Sequence, residues 1–452
     1  MVKVTNPYLE LGEKFYSFEK ITPLNRPYLV DVNERFANEL GLDFSQKEWE
    51  EILNGKRLLE GSKPFSMVYA GHQFGYFVPK LGDGRVVNIG KINSYHLQLK
   101  GSGVNSYSRS GDGRALFRSS VREYLASEAM FYLGVETTRG VALLGAEHQI
   151  YREEWQKAAI VLRASRSWVR FGTFEYFANS KELEALANYV IGESFSFLEG
   201  ERDRYFLMFM EIVKRSARLV AKWNSIGFVH GVLNSDNCLV DGSTIDYGPF
   251  AFLEVYEDFT PNRGDKKRRY SFGRQALIMK YNLNMLAKSL GGLIESKDLV
   301  YALLLFDSIY VEEFFRLMKR KLGFLEEMEG DIELIVELLE ILKKDKVDYS
   351  SFFYNLTYDK ELFIEKRWIK KYKERMRMED ITKSKEIMRK TNPRYILRGY
   401  ILEEAIERGL NGDFSLIKRL KEVVQSPYER DLEFEGLLKE KKWQNIRLSC
   451  SS

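Results

Sequence analysis

The sequence predicts an α+β protein in which a small β-rich region precedes a larger helical one, and two observations carry that prediction. Between Phe65 and about Arg170, short β-like runs (Val86 to Ile89, His96 to Leu99, Ala159 to Leu162) are punctuated by Gly-Asp-Gly and Gly-Ser-Gly around one strong helix, Leu116 to Leu133, whose Val121, Leu125 and Ala129 are spaced by four. From about Leu183 to Leu342 the pattern is helical, broken by one loop, Phe228 to Gly248. A chain of 452 residues can bury a substantial core, its 44% hydrophobic content is that of an ordinary globular protein, and 69 basic against 65 acidic residues leave +4, too little to demand a nucleic acid or an anionic membrane as partner. Two cysteines, Cys238 and Cys450, argue against a disulfide-stapled secreted module and for a reducing, cytoplasmic setting. The N-terminus lacks a signal-peptide pattern, and no apolar run reaches the roughly 18 residues of a membrane span. The longest, Leu299 to Phe306, is stopped by Asp307.

Taken in order, residues 1–60 carry scattered prolines and then a helical pattern, Val32 to Leu42, with Gly41 suited to its C-terminal cap. They read as an N-terminal extension with no visible chemistry. Residues 61–175 form the β-rich lobe. There Lys100 ends a strand-like run, and Glu123 on the helix is its natural partner. Gly-Asp-Gly-Arg occurs at Gly82 to Arg85 and again at Gly111 to Arg114; the first copy suits a hairpin turn, and the second, preceding the helix, suits an anion site built from glycine amides and Arg114. Arg163, Arg166 and Arg170 follow a β-like run at the junction with the helical lobe, where guanidinium groups can clamp phosphates or bridge the two lobes.

Residues 176–345 form the helical lobe, entered through a helix at Tyr205 to Ser225 with Leu207, Met210, Val213 and Leu219 as its core stripe. A long polar stretch, Gly248 to Phe272, ends in a basic cluster beginning at Arg263, either a solvated run or a surface for an acidic partner. Residues 346–452 are a helical C-terminal extension. Within it Lys366 to Lys390 reads as a basic helix packing Trp368, Tyr372 and Met376 on the core, and a further helix opens at Asn392-Pro393.

The loop Phe228 to Gly248 carries the chemistry. A protein kinase places His-x-Asp and then Asn on its catalytic loop, followed by Asp-Phe-Gly, because Asn and the second Asp hold Mg²⁺ against ATP phosphates. Here His230, Asn237 and Asp246-Tyr247-Gly248 occupy those places. The position of the catalytic Asp is Val232, which can neither take a proton nor bind metal, and an additional acid, Asp236, stands beside Asn237. The whole therefore predicts a protein-kinase-like two-lobed fold, altered at its catalytic base.

Several longer motifs carry a family likeness. Tyr69-Ala-Gly-His-Gln-Phe-Gly75, Leu81-Gly-Asp-Gly-Arg85, Leu97-Gln-Leu-Lys-Gly101, Tyr107 to Arg114, Arg118 to Glu123, His230 to Asn237 and Thr244 to Phe250 together resemble the selenoprotein O family, and the likeness runs from about residue 15 to the C-terminal Ser-Cys-Ser-Ser. The resemblance implies a kinase-like protein adenylyltransferase that binds ATP turned around relative to kinases and transfers AMP to Ser, Thr or Tyr hydroxyls of other proteins. It implies nucleotide contacts from Gly82, Gly84, Arg85, Lys100, Asp112, Gly113, Arg163, Arg170 and Asp246. It further implies Lys100 paired with Glu123, Mg²⁺ or Mn²⁺ held by Asn237 and Asp246, and Asp236 as proton acceptor. Family members often pair an activation-segment cysteine with one near the C-terminus; Pro261 stands at the first position here, which leaves Cys450 without that partner. Two other readings remain open at this stage, a phosphotransferase with a relocated base and an ATP-binding pseudokinase scaffold. Oligomeric state, protein substrates and AMP versus UMP donor use are not legible.

Overall fold

The computed structural model describes residues 2–437 and is mixed α+β, with a sheet-rich N-terminal region and a helical C-terminal region. The first region runs β1 (Tyr16–Phe18), β2 (Pro27–Val32), α1 (Glu34–Glu39), α2 (Gln46–Leu53), β3 (Phe65–Met67), the hairpin β4 (Gly71–Gln73) and β5 (Tyr76–Val78), β6 (Val86–Ile92), β7 (Tyr95–Lys100), β8 (Ala115–Leu116), α3 (Phe117–Tyr132), β9 (Arg139–Tyr151) and β10 (Trp155–Ser165). Its main sheet is antiparallel throughout, in the order β1-β3-β6-β7-β10-β9-β2, with β8 added on β10.

Alternation along the strands builds the layers. Leu97 and Leu99 of β7, Ile160 and Leu162 of β10, and Ala142 and Leu144 of β9 face one side, where Phe36 of α1 and Trp49, Ile52 and Leu53 of α2 cover them. Val161, Ala159 and Leu143 face the other, where Val121, Leu125 and Ala129 of α3 pack. Residues 1–60 thus contribute two strands of the sheet and the helices covering one of its faces. The helix expected over Val32 to Leu42 is shorter, because Val32 pairs with Ala142 of β9 as strand and Asn33 then caps α1, its Oδ1 accepting from the Phe36 amide. Gly41 follows that helix at φ +71°, the conformation a C-terminal cap requires.

The helical region continues with α4 (Phe171–Phe177), α5 (Leu183–Ser194), α6 (Arg204–Ser225), the small pair β11 (Phe228–Val229) and β12 (Ala251–Phe252), α7 (Gln275–Ser289), α8 (Ser296–Leu322), α9 (Asp331–Lys344), α10 (Tyr349–Thr357), α11 (Lys366–Met376), α12 (Ile381–Thr391), α13 (Gly399–Leu410), α14 (Ser415–Val424) and α15 (Leu432–Leu437). The core on the α3 side of the sheet runs on without interruption through α4 to α8, α13 and α14. None of the described helices is long and apolar enough to cross a membrane.

Two sequence expectations are corrected here. Lys366 to Lys390 is two helices, because Asp380 turns its carboxylate onto the amides of Thr382 and Lys383 and starts a new one; the stripe Trp368, Tyr372 and Met376 is buried among α8 to α12. Asn392 ends α12 instead of opening a helix. Its Nδ2 donates to Lys321 O (2.8 Å) and Thr357 Oγ1 (2.9 Å), and the next helix begins only at Gly399.

The α14 helix returns to the N-terminal region. Lys421 Nζ reaches Asp31 (3.0 Å) and Glu34 (2.8 Å), while Arg122 on α3 pairs with Glu403 on α13 at 2.6 Å, joined there by Arg118. The far side of α3 is therefore clamped by the C-terminal helices.

Lys321, 4% exposed, has no acidic partner among the described residues and lies over the rings of Phe353 (4.2 Å) and Tyr349 (5.7 Å). Burial pulls its ammonium down to about 7 from 10.5, while the rings work in the opposite direction. The folded-state value lies below the unfolded one, so the burial penalty is complete below pH 7 and is relieved as pH rises towards 10.5. Lys321→Met is expected to stabilise the protein by about 2 kcal/mol at pH 6.5 and by little near pH 10. Calorimetric Tm values at both pH values check this, and a pH-independent gain would contradict it.

Candidate active site

The site grows from one face of the sheet. Leu97 and Leu99 enter the core, so Gln98 and Lys100 of β7 face α3. On the neighbouring strand Arg163 lies opposite Gln98, and Asn88 of β6 lies opposite it on the other side. The three form a polar row: Arg163 Nε and Nη2 donate to Gln98 Oε1 (3.2 and 3.0 Å), and Gln98 Nε2 donates to Asn88 Oδ1 (3.1 Å). Above this row Glu123 of α3 accepts from Lys100 Nζ (2.5 Å) and Arg163 Nη1 (2.6 Å).

The opposite wall is the loop after β11. His230 stitches its two halves together, Nε2 donating to Ile245 O (2.9 Å) while Nδ1 accepts from the Val232 amide; burial lowers its pKa and keeps it neutral. Asp246 follows at φ +57°, a left-handed conformation that Asp tolerates better than most residues. Its Oδ1 accepts from Lys100 (2.8 Å) and Arg163 (2.7 Å), and its Oδ2 from Arg170 (2.9 Å), which also donates to Asp236 O (2.6 Å). Burial alone would raise the Asp246 pKa, but the three cations outweigh it and hold the carboxyl well below its ordinary range. Glu123 is lowered on the same balance, burial opposed by Lys100 and Arg163. With Asp83, buried 3.8 Å from Arg170, three anions stand against three cations.

Asp236 is different. Burial raises it to about 6, opposed by a hydrogen bond from Gln73 Nε2 to Oδ2 (3.1 Å) and by the charge of Arg170. Its Oδ1 is buried with no hydrogen-bond partner. Two glycines let the backbone close around this residue: a Cβ on Gly71 would stand 2.8 Å from the Asp236 Cβ, and one on Gly172 3.5 Å from its Cα. Asn237 Nδ2 donates to Val232 O (2.9 Å), leaving its amide oxygen as the free end.

These walls enclose a cleft of about 500 Å³. Gly82, Gly84, Arg85, Lys100, Asp112, Gly113, Glu123, Arg163, Arg170, Asp236, Asn237 and Asp246, singled out from the sequence, all line it. Arg166 does not. The first Gly-Asp-Gly-Arg copy forms a tight turn, the Val86 amide donating to Asp83 O (3.1 Å), but closes no hairpin; Asp83 also anchors it by accepting from the Met67 amide (3.1 Å). The second is separated from α3 by β8, and Arg114 spends its guanidinium on the carbonyls of Thr22, Gly101 and Pro23. Asp112 is bound bidentately by Arg152, both contacts 2.7 Å, which lowers its pKa. Sequence reasoning assigned no role to Arg152, on the β9–β10 turn, or to Gln73, Phe74 and Asp83, although Gln73 and Phe74 lie in the Tyr69–Gly75 motif and Asp83 in the repeated turn motif. Pro261 is buried against Gly231, and Cys450 lies outside the described residues. A second cavity, about 640 Å³, has paired charges in its lining, among them Lys421 with Asp31 and Arg419 with Asp431.

The family model described as protein adenylyltransferase SelO matches residues 1–425. The chain belongs to the SelO family. Its relatives include proteins named protein nucleotidyltransferase YdiU from Aliivibrio fischeri (38% identical, covering 100% of this chain and 99% of the relative), Thioalkalivibrio sulfidiphilus (38%, 100% and 99%) and Myxococcus xanthus (37%, 100% and 99%). The SelO match spans both walls of the cleft, so the kinase-like residues and the altered base position fall within one matched segment.

The two kinds of cation in this SelO chain separate experimentally. Arg163→Leu, which strips a buried counter-charge from Glu123 and Asp246, is expected to cost about 3 kcal/mol in denaturant titration. Arg85→Ala, at the exposed mouth, is expected to change stability by less than about 0.5 kcal/mol while weakening ATP binding about tenfold. Equal stability losses would contradict this division.

Proposed function

We propose that the cleft binds ATP and transfers its AMP moiety to a hydroxyl of another protein, releasing pyrophosphate. The observation that carries this reading is the pairing of Val232, apolar where a kinase keeps its base, with Asp236, a second acid that lines the same cleft beside Asn237. The sheet-rich and helical regions would then act as the two lobes of a kinase-like fold, with the nucleotide between them.

In this reading Lys100, Arg163 and Arg170 hold the β- and γ-phosphates at the deep end and Arg85 meets the nucleotide at the mouth. The acceptor oxygen attacks the α-phosphorus, the bond to the bridging oxygen of the β-phosphate breaks, pyrophosphate leaves with that electron pair, and the hydroxyl proton passes to the Asp236 carboxylate. Gln73 holds that carboxylate through Oδ2, and Arg170 holds the residue through its main-chain carbonyl.

The donor set fits a nucleotide-borne divalent ion. Asn237 offers a free amide oxygen and Asp246 a carboxylate, hard ligands of the kind that hold Mg²⁺ or Mn²⁺ together with phosphates and water. Charge argues the same way: the cluster around Asp246 is balanced, so a triphosphate entering it needs its own cation. Such an ion would supply charge stabilisation for the departing pyrophosphate. The low cysteine content, two in 452 residues, is what supports a reducing, cytoplasmic setting in this reading.

Incubation with Mg²⁺ or Mn²⁺, a protein mixture and ATP labelled at the α- or γ-phosphate tests the reading. Label is expected from the α position only; transfer from γ alone would mark a phosphotransferase, and ATP binding with no label a scaffold. Asp246→Ala is expected to abolish labelling. Asp236→Asn is expected to lower kcat by about 10²-fold or more with the Kd for ATP changed by less than about threefold.

A further inference from the structure

The β4–β5 hairpin is the least expected element beside the cleft. Its two-residue turn, Phe74-Gly75, has both φ angles positive (+51° and +91°), the geometry of a tight type I′ turn, for which Asn, Asp or Gly is the usual first residue. A phenylalanine there is strained, and the surroundings hold it. The Phe74 amide donates to Tyr270 Oη (2.8 Å) and Asn234 Oδ1 (3.3 Å), and its ring meets the Tyr270 ring edge-on at 5.2 Å. Strain is thus tolerated to place an aromatic ring at a tip that remains open to solvent, with Phe74 41%, Tyr76 74% and Phe77 50% exposed.

Register ties the tip to the chemistry. Gln73 and Tyr76 are cross-strand partners, so their side chains leave the hairpin on one face, and Gln73 is the residue bonded to Asp236. The other neighbour is the basic run that begins at Arg263. Asp265, its acid, is turned inward to accept from the Arg269 and Tyr270 amides (2.8 and 2.7 Å), while Arg263, Lys266 and Lys267 are exposed with no acidic partner among the described residues. Arg269 packs its guanidinium beside Gly75 of the turn and over the Tyr281 ring (4.7 Å). Within the run Arg268 pairs with Asp258 (3.4 Å), so its free charge is that of Arg263, Lys266 and Lys267; the exposed aromatic cluster is joined to it through Phe74–Tyr270 and Gly75–Arg269, at the side of the cleft that holds Asp236.

We propose that the hairpin tip and residues 263–269 form the docking surface for the acceptor protein, and that it takes an acidic segment with an aromatic or bulky apolar side chain next to the modified hydroxyl. This rests on the AMP-transfer reading. Aromatic rings supply buried contact area at little entropic cost, and the basic run selects charge and speeds encounter.

Fluorescent peptides provide the test: an Asp/Glu-rich peptide with one Tyr hydroxyl beside Phe, its Lys-rich counterpart, and the acidic peptide with that Phe replaced by Gly. The full chain with Mg²⁺ and a non-hydrolysable ATP analogue is expected to bind the acidic peptide at least about tenfold tighter than either other peptide, with the advantage over the Lys-rich peptide shrinking as salt rises. Tyr76→Ala, and separately Lys266→Glu with Lys267→Glu, are each expected to lose about tenfold in peptide affinity with ATP affinity unchanged. Equal binding of acidic and basic peptides, variants that bind as tightly as the parent, or tighter binding of an oligothymidylate of the same charge would each overturn the proposal. Peptide binding with no α-label transfer to any protein would sink the AMP-transfer reading and leave the surface standing. Transfer to proteins without any charge preference among the peptides would do the reverse.

Discussion

The structure depends on a buried balance of charge. Lys100 from β7, Arg163 from β10, Glu123 from α3, Arg170 at the head of α4 and Asp246 from the loop after β11 meet within hydrogen-bonding distance. Five separate elements are thereby brought into register at one point. Such a cluster adds little net stability, because taking each charge out of water costs nearly as much as pairing it returns, yet removing one partner strands the rest. Its contribution is geometric. Every group has one place to stand, and the place lies at the base of the cleft.

Much of this was legible in the sequence, for identifiable reasons. The α3 helix, β6, β7, β10 and α6 follow regular apolar periods, and Lys100, Glu123, Asn237 and Asp246 occur in the chain order of a kinase-like site. Where local chemistry competes, legibility fails. Val32 lies in an apolar pattern consistent with helix, but β-branched Val32 pairs with Ala142 of β9, and Asn33 then caps a helix that starts only at Glu34. Asn392-Pro393 is equally good at closing a helix and opening one, and only the carbonyl of Lys321 decides. Arg152 was invisible, and Gln73 was visible only as part of the Tyr69–Gly75 motif, because their partners, Asp112 and Asp236, lie 40 and 163 residues away in the chain. No sequence period encodes such contacts.

The glycines show how site and scaffold overlap. Gly82 and Gly113 line the cleft, yet each is also required by packing: a Cβ on Gly82 would stand 2.4 Å from the Tyr107 ring, and one on Gly113 1.9 Å from Gly103 O, both at positive φ. A short motif such as Gly-Asp-Gly-Arg can therefore mark a nucleotide site while its atoms are occupied in holding the loop. The Asp of the first copy anchors a strand, and the Asp of the second holds an arginine.

The clamp on α3 has a consequence for control. In kinases the helix bearing the Lys-paired glutamate must be in place for activity, and its position is a point of regulation. Here that helix is held from behind by Glu403 of α13 through Arg122, and α14 packs on it while Lys421 grips Asp31 of β2. Sliding α3 outward would break buried ion pairs on both of its sides at once, at several kcal/mol each. A helix fastened front and back moves only if both sets of buried pairs are broken together. The position of this helix is then a property of the fold as a whole, shared between the sheet and the C-terminal helices.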